Sequence, residues 1–179
     1  MIPLEHSLRQ LFHQIVLECY DSRLGMHDPE ISTYVADLLT EFCCADNVYR
    51  LRDFAGHPVS ELNRMLAAAD PVLGSAASFD EEREVRKHIG DYTLFFAGMY
   101  PESGRRWRQC GGESFFQMVQ TGKESYYIVS QFDLFEYASE APFFARLSTS
   151  FEDCIYGLTL VRGELDRLKS PATSTAHFN

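Results

Sequence analysis

The sequence predicts an all-α fold, a single-domain bundle of about six helices around one buried central helix, and three observations carry that prediction. Apolar residues recur at steps of three and four in each long segment, the spacing of one helix face. Segment starts carry capping chemistry, Asp28 before Pro29 and Ser78 three residues before Glu81. One stretch, Val48-Tyr49-Arg50-Leu51, alternates like a strand, and a lone strand has nothing to pair with.

In chain order, Leu4, Leu8, Leu11, Ile15 and Cys19 share a face, so a first helix is expected over residues 4–23 with Gly25 as its stop. Asp28 caps the second helix and Pro29 occupies its first position. Ile31, Tyr34, Val35, Leu38, Leu39 and Phe42 supply its apolar face, and the short joint makes the pair antiparallel. Residues 47–58 read as loop, with Asp53, Gly56 and Pro58 as turn markers. Ser60 caps a short third helix over 61–69, and a small-residue loop follows.

The central helix is expected over residues 79–100. Asp80, Glu81 and Glu82 place negative charge at the positive end of its dipole, and Val85, Ile89, Tyr92, Phe96 and Met99 share a face. From Tyr92 onward, Thr93, Leu94, Phe95 and Ala97 carry apolar surface right round the helix, which implies neighbours on every side. Pro101 ends it, because the residue before a proline resists helical angles. A loop over 103–112 leads to a fifth helix over 113–137, with Phe115, Val119, Gly122, Tyr126 and Val129 on one seam. The sixth starts at Pro142 and carries the most regular seam: Phe144, Leu147, Phe151, Cys154, Leu158, Val161, Leu165 and Leu168. The domain is expected to span 1–169, followed by a disordered polar tail over 170–179. Glycine inside a helix costs about 1 kcal/mol relative to alanine, so Gly90, Gly98 and Gly122 are expected where another helix approaches closely.

Composition narrows the function classes. At 179 residues, a single domain buries roughly 70% of its unfolded surface. The net charge of −10 argues against nucleic-acid binding, which needs clustered Lys and Arg. Five cysteines without a Cys-x-x-Cys spacing imply reduced thiols and a cytoplasmic setting rather than a disulfide scaffold. The first ten residues lack a basic region followed by an apolar run, so no signal peptide is expected. The longest apolar run, 94–100, falls far short of the ~20 residues of a membrane span. No membrane partner and no cofactor are implied.

The polar residues with most chemical promise lie on the central helix. Glu84, His88, Asp91 and Phe95 step by four, three and four along one strip. A buried carboxylate beside a histidine can form an acid/base pair or contribute two metal ligands. The Glu-x-x-His pairs of dimetal bundles are absent, so no metal site is assigned. The structural alternative outweighs the functional one: Asp91 binds an Arg or a backbone group, and His88 is a core histidine. His6 and His13, with Gln10 between, share a face of the first helix, where solvation outweighs metal binding. Arg105, Arg106 and Arg108 around Trp107 form a candidate anion contact, set against the ordinary reading of a loop pairing with its own acidic surface. Gly122-Lys123-Glu124-Ser125 fails as a phosphate loop, since Gln117 stands where a glycine is needed. Tyr92, Tyr100, Tyr126, Tyr127 and Tyr156 fit an aromatic core as readily as a pocket wall.

The run His88-Ile89-Gly90-Asp91-Tyr92-Thr93-Leu94-Phe95, with Gly98 and Pro101-Glu102, then Gly122-Lys123-Glu124-Ser125-Tyr126, resembles uncharacterised bacterial helical proteins of the cytosol. The resemblance covers about the central third of the chain and carries no named activity. It implies that Asp91 and Tyr126 belong together.

Two functions are carried forward. The first is protein association, chiefly self-association into a homo-oligomer, motivated by the sixth helix's long seam. The second is a bundle that holds a small ligand or metal at His88, Asp91 and Tyr126 with Glu84 at the mouth, including an enzyme whose reaction the residues do not name.

Overall fold

The computed structural model describes residues 4–43, 62–69, 78–102 and 115–170, and within them the chain is α-helical with no strand. Seven α-helices follow in order. They are α1 (Leu4–Leu17), which runs into a π-helical turn at Glu18–Arg23, α2 (Pro29–Phe42), α3 (Leu62–Ala69) and α4 (Phe79–Met99). After them come α5 (Phe115–Ser130), a 3-10 turn at Phe135–Tyr137, α6 (Ala141–Thr149) and α7 (Phe151–Lys169). No described helix is long and apolar enough to cross a membrane.

Local chemistry accounts for the boundaries. The Asp28 carboxylate accepts from the Ile31 N–H at 3.2 Å, and Ser78 Oγ accepts from the Glu81 N–H at 3.3 Å. Gly25, at φ +75°, takes the left-handed turn that lets the Met26 N–H reach back to the Tyr20 carbonyl at 2.8 Å. At the other end of α4 the Arg162 guanidinium donates to the Met99 carbonyl, a cation on the negative end of the dipole.

The packing explains why α4 is central. It lies against α5 and α7, with α3 and α2 on further sides. His88 to Phe95 and Ala97 to Met99 are all buried. Glycines set the closest approaches: a Cβ on Gly90 would fall within 3.0 Å of the Tyr126 ring, on Gly98 of the Leu158 side chain, and on Gly122 of Thr93 and Phe151. Gly157 clears the Tyr20 ring in the same way, and the Tyr20 hydroxyl donates to the Cys154 carbonyl at 2.6 Å. Gly163 on α7 differs, with nothing within 4 Å. Gly163→Ala is therefore expected to raise stability by about 0.5–1 kcal/mol, read as a higher urea midpoint at unchanged slope.

Two helix boundaries differ from expectation. The fifth helix ends at Ser130, not near residue 137. Ser130 Oγ donates to the Tyr127 carbonyl, while the Gln131 and Phe132 N–H groups bond three residues back, tightening the final turn and turning the chain out. The sixth is divided at Ser150 (ψ +15°) into α6 and α7. It breaks within the hydroxyl run Ser148-Thr149-Ser150, where Ser148 Oγ donates to the Lys123 carbonyl and Thr149 Oγ1 to the Ala145 carbonyl. The seam survives the break, since Phe144, Leu147, Phe151, Cys154, Leu158 and Val161 are all buried, whereas Leu168 is exposed. The loop over 47–58, the loop over 103–112 and the tail beyond residue 170 lie outside the described residues.

Arg146 joins α6 to the start of α2, donating to Asp28 at 3.0 Å and to Glu30 at 2.8 Å. Burial alone would raise the Asp28 carboxyl, but the hydrogen bonds and charge of Arg146 and the Ile31 N–H outweigh it and hold the group below 3.8. A depressed carboxyl contributes stability above its unfolded pKa and loses it as pH falls through the folded value. Arg146→Met is accordingly expected to reduce the loss of stability between neutral pH and pH ~3, measured by urea unfolding across that range.

Candidate functional site

Asp91 stands on α4 where the helix is enclosed, and it is 2% exposed. A buried carboxylate requires partners, and three reach it from three directions. Tyr34 from α2 donates its hydroxyl to Oδ1 at 2.5 Å, and Tyr126 from α5 donates to the same oxygen at 2.6 Å. Lys87, one turn earlier on α4, donates from Nζ to Oδ2 at 3.2 Å. Gly90 makes the Tyr126 contact possible, because the ring rests on bare α4 backbone there. Phe144 fixes both tyrosines, with ring centroids 5.9 Å from Tyr34 and 5.8 Å from Tyr126.

Burial, then the negative charge of Asp91, pushes the hydroxyls of Tyr34 and Tyr126 well above their usual pKa. Both remain protonated donors through the ordinary pH range. Asp91 thus has two hydroxyls on one oxygen and an ammonium on the other, and the cluster acts as a polar knot tying α2, α4 and α5. Tyr126→Phe is expected to cost about 1–2 kcal/mol, with Tyr34→Phe similar, measured by denaturant unfolding.

Of the residues singled out in the sequence, Asp91 and Tyr126 meet. His88 is buried but packs with the Phe42 and Tyr92 rings, at 6.2 and 6.3 Å between centroids. Glu84 is held at the surface, its side chain 63% exposed, and accepts from Arg83 at 3.1 Å. His13 bonds Asp37 at 2.9 Å beside Arg9, and the His6 side chain lies outside the described residues, as do Arg105, Arg106 and Arg108. Among the described residues no group of three or more His, Cys, Asp or Glu is placed to hold a metal ion. Lys87 and Tyr34 complete the knot. Lys87 carried a readable signal, the i,i+4 spacing to Asp91, whereas Tyr34 is 57 positions away and carried none.

A second feature lies at the start of α4. Arg83 is 3% exposed, and its guanidinium donates to Glu140 at 2.5 Å and covers the Tyr137 ring at 4.1 Å from the centroid. A hydrogen bond to Asp80 raises the Tyr137 hydroxyl above its usual pKa. Residues 131–137 are thereby clamped against the first turn of α4, and a groove of about 720 Å³ opens between them. Phe79, Phe132, Leu134 and Phe135 supply its apolar wall. Three of these stand in water: Phe79 at 74%, Leu134 at 67% and Phe135 at 92% exposure. Phe135 also has φ +54°, a conformation uncommon outside glycine and costly for a bulky residue.

Fold and sites together define an all-α bundle with a filled polar knot inside and an open apolar groove at its surface. Comparison of the chain with protein-family models, with curated proteins and with solved structures finds no match in any of the three.

Proposed function

We propose that this protein works by association with another polypeptide, which docks in the groove between the start of α4 and residues 131–137. The observation that carries the reading is Phe135, 92% exposed on a backbone with φ +54°. An aromatic side chain in water on a costly backbone gains nothing from folding, and such positions concentrate where a partner is clamped. The Arg83–Glu140 pair and the Tyr137 stack hold the groove ready, which lowers the ordering cost of binding.

Association through the sixth-helix seam has less support, because that seam is taken up inside the protomer. A ligand at Asp91 would have to displace hydroxyls and an ammonium that already occupy the carboxylate. The free thiols Cys19 and Cys154, both buried, suit a reducing, cytoplasmic setting.

A photo-crosslinking residue placed at Phe135, with Tyr156 on α7 as the control position, tests the reading in lysate of the source cells. The expected result is one discrete adduct from position 135, identified by mass spectrometry as this chain or another, which weakens with Phe79→Ser. No adduct beyond the Tyr156 control would end it.

A further inference from the structure

The groove's apolar wall is bordered by four carboxylates: Asp80 and Glu82 from α4, Asp133 and Glu136 from the loop. Among the described residues that line it there is no Lys or Arg. The Arg83 guanidinium, which covers the Tyr137 ring at the groove's edge, is buried and taken up by Glu140 and Glu84. An occupant without cations would strip water from this rim and return nothing, whereas Lys or Arg side chains would gain from it. A second copy bound face to face would set the four carboxylates against themselves, on a chain already at −10. Phe79, Leu134 and Phe135 all stand exposed along the groove's wall, and a chain segment laid across the groove covers the three together.

We infer that the groove's occupant is a cationic amphipathic segment of a different protein. A bulky apolar side chain sits among Phe79, Phe132, Leu134 and Phe135, and flanking Lys or Arg side chains reach the carboxylate rim. This rests on the docking reading above and names the partner's chemistry.

The test uses three short fluorescent peptides with one shared apolar pattern, Leu and Phe every third or fourth residue, and Lys, Gln or Glu at the flanking positions. Each is titrated by anisotropy against the full chain, against Phe135→Ser, against Asp133→Asn with Glu136→Gln, and against Tyr156→Ser on α7. Phe135 and Tyr156 are both exposed, so neither serine variant empties the core, and circular dichroism checks each fold.

The Lys peptide is expected to bind about tenfold tighter than the Gln peptide, and the Glu peptide to bind weakest. Affinity for the Lys peptide should fall about tenfold with Phe135→Ser and severalfold with the paired amide variant or with added salt, and stay unchanged with Tyr156→Ser. Equal binding of Gln and Lys peptides, still lost with Phe135→Ser, would overturn the cationic inference and leave the docking groove standing. Lys-peptide binding indifferent to Phe135→Ser would be general attraction to an acidic chain and would overturn it too. Absence of binding by every peptide would overturn it as well, while the crosslink from position 135 decides the docking reading separately.

Discussion

Asp91→Ala is expected to destabilise the fold by about 3–5 kcal/mol, a large share of the 5–15 kcal/mol that holds a typical domain together. The truncation leaves two inward-pointing hydroxyls and an ammonium without their acceptor. The hydroxyls dominate the loss, because Tyr126 is wholly buried and cannot turn to water. Lys87 keeps 24% of its side chain exposed and can carry its charge outward, which places the effect nearer the lower end. Asp91→Asn separates the contributions. Its carbonyl can still accept from both tyrosines, but its amide N–H₂ then faces the Lys87 ammonium, donor against donor, for about 1–3 kcal/mol. Adding Lys87→Met should recover part of that loss. Urea unfolding of the four chains closes a double-mutant cycle, and an Asp91→Asn cost untouched by Lys87→Met would mean that Lys87 is not part of the knot.

Gly90→Ala should act in the opposite direction to Gly163→Ala, although the chemical change is the same. At Gly90 the new methyl would lie within 3.0 Å of Tyr126 ring carbons. That ring cannot retreat: its hydroxyl is fixed on Asp91, and Phe144 and Phe151 lie at 5.8 and 5.7 Å between centroids. Overpacking of this kind costs about 1–3 kcal/mol and sometimes more, against about 1 kcal/mol gained in helix propensity. A net loss of about 1–2 kcal/mol is expected, growing with Gly90→Val. Because the clash has one main source, Tyr126→Leu should shrink the Gly90→Ala penalty, and additivity of the two would show that the ring is not what the methyl meets.

What could be read in the sequence follows from how local each cause is. The caps at Asp28 and Ser78, the stop at Gly25 and the enclosed half of α4 depend on neighbours within a turn or two, and periodicity states them directly. The tight glycines were legible because glycine in a helix interior is a loss that only close packing explains. Glu84 shows the limit of such reasoning. It shares a strip with His88 and Asp91, but the strip passes from water into the core between residues 84 and 88, so common spacing did not mean common surroundings. The knot needed tertiary knowledge, since Tyr34 looks like any apolar-face residue of α2. Arg83 sits in a polar half-helix whose charges look solvated, yet Glu140 and Tyr137 close over it from 57 and 54 positions further on. The groove was hidden for a related reason: its loop was expected to be helix, and its most telling residue, Phe135, is defined by a backbone angle that no composition reveals.

The hydroxyl of Tyr20 reaching the carbonyl of Cys154 joins positions 134 apart. At ribosomal speed that interval lasts on the order of ten seconds. Through all of it the hairpin of α1 and α2 waits with its Tyr20 side bare, because α7, which covers that side, comes last of the described helices. Closure of this bundle therefore waits for α7 to emerge, and a message cut short before α7 leaves Tyr20 without the backbone it packs on.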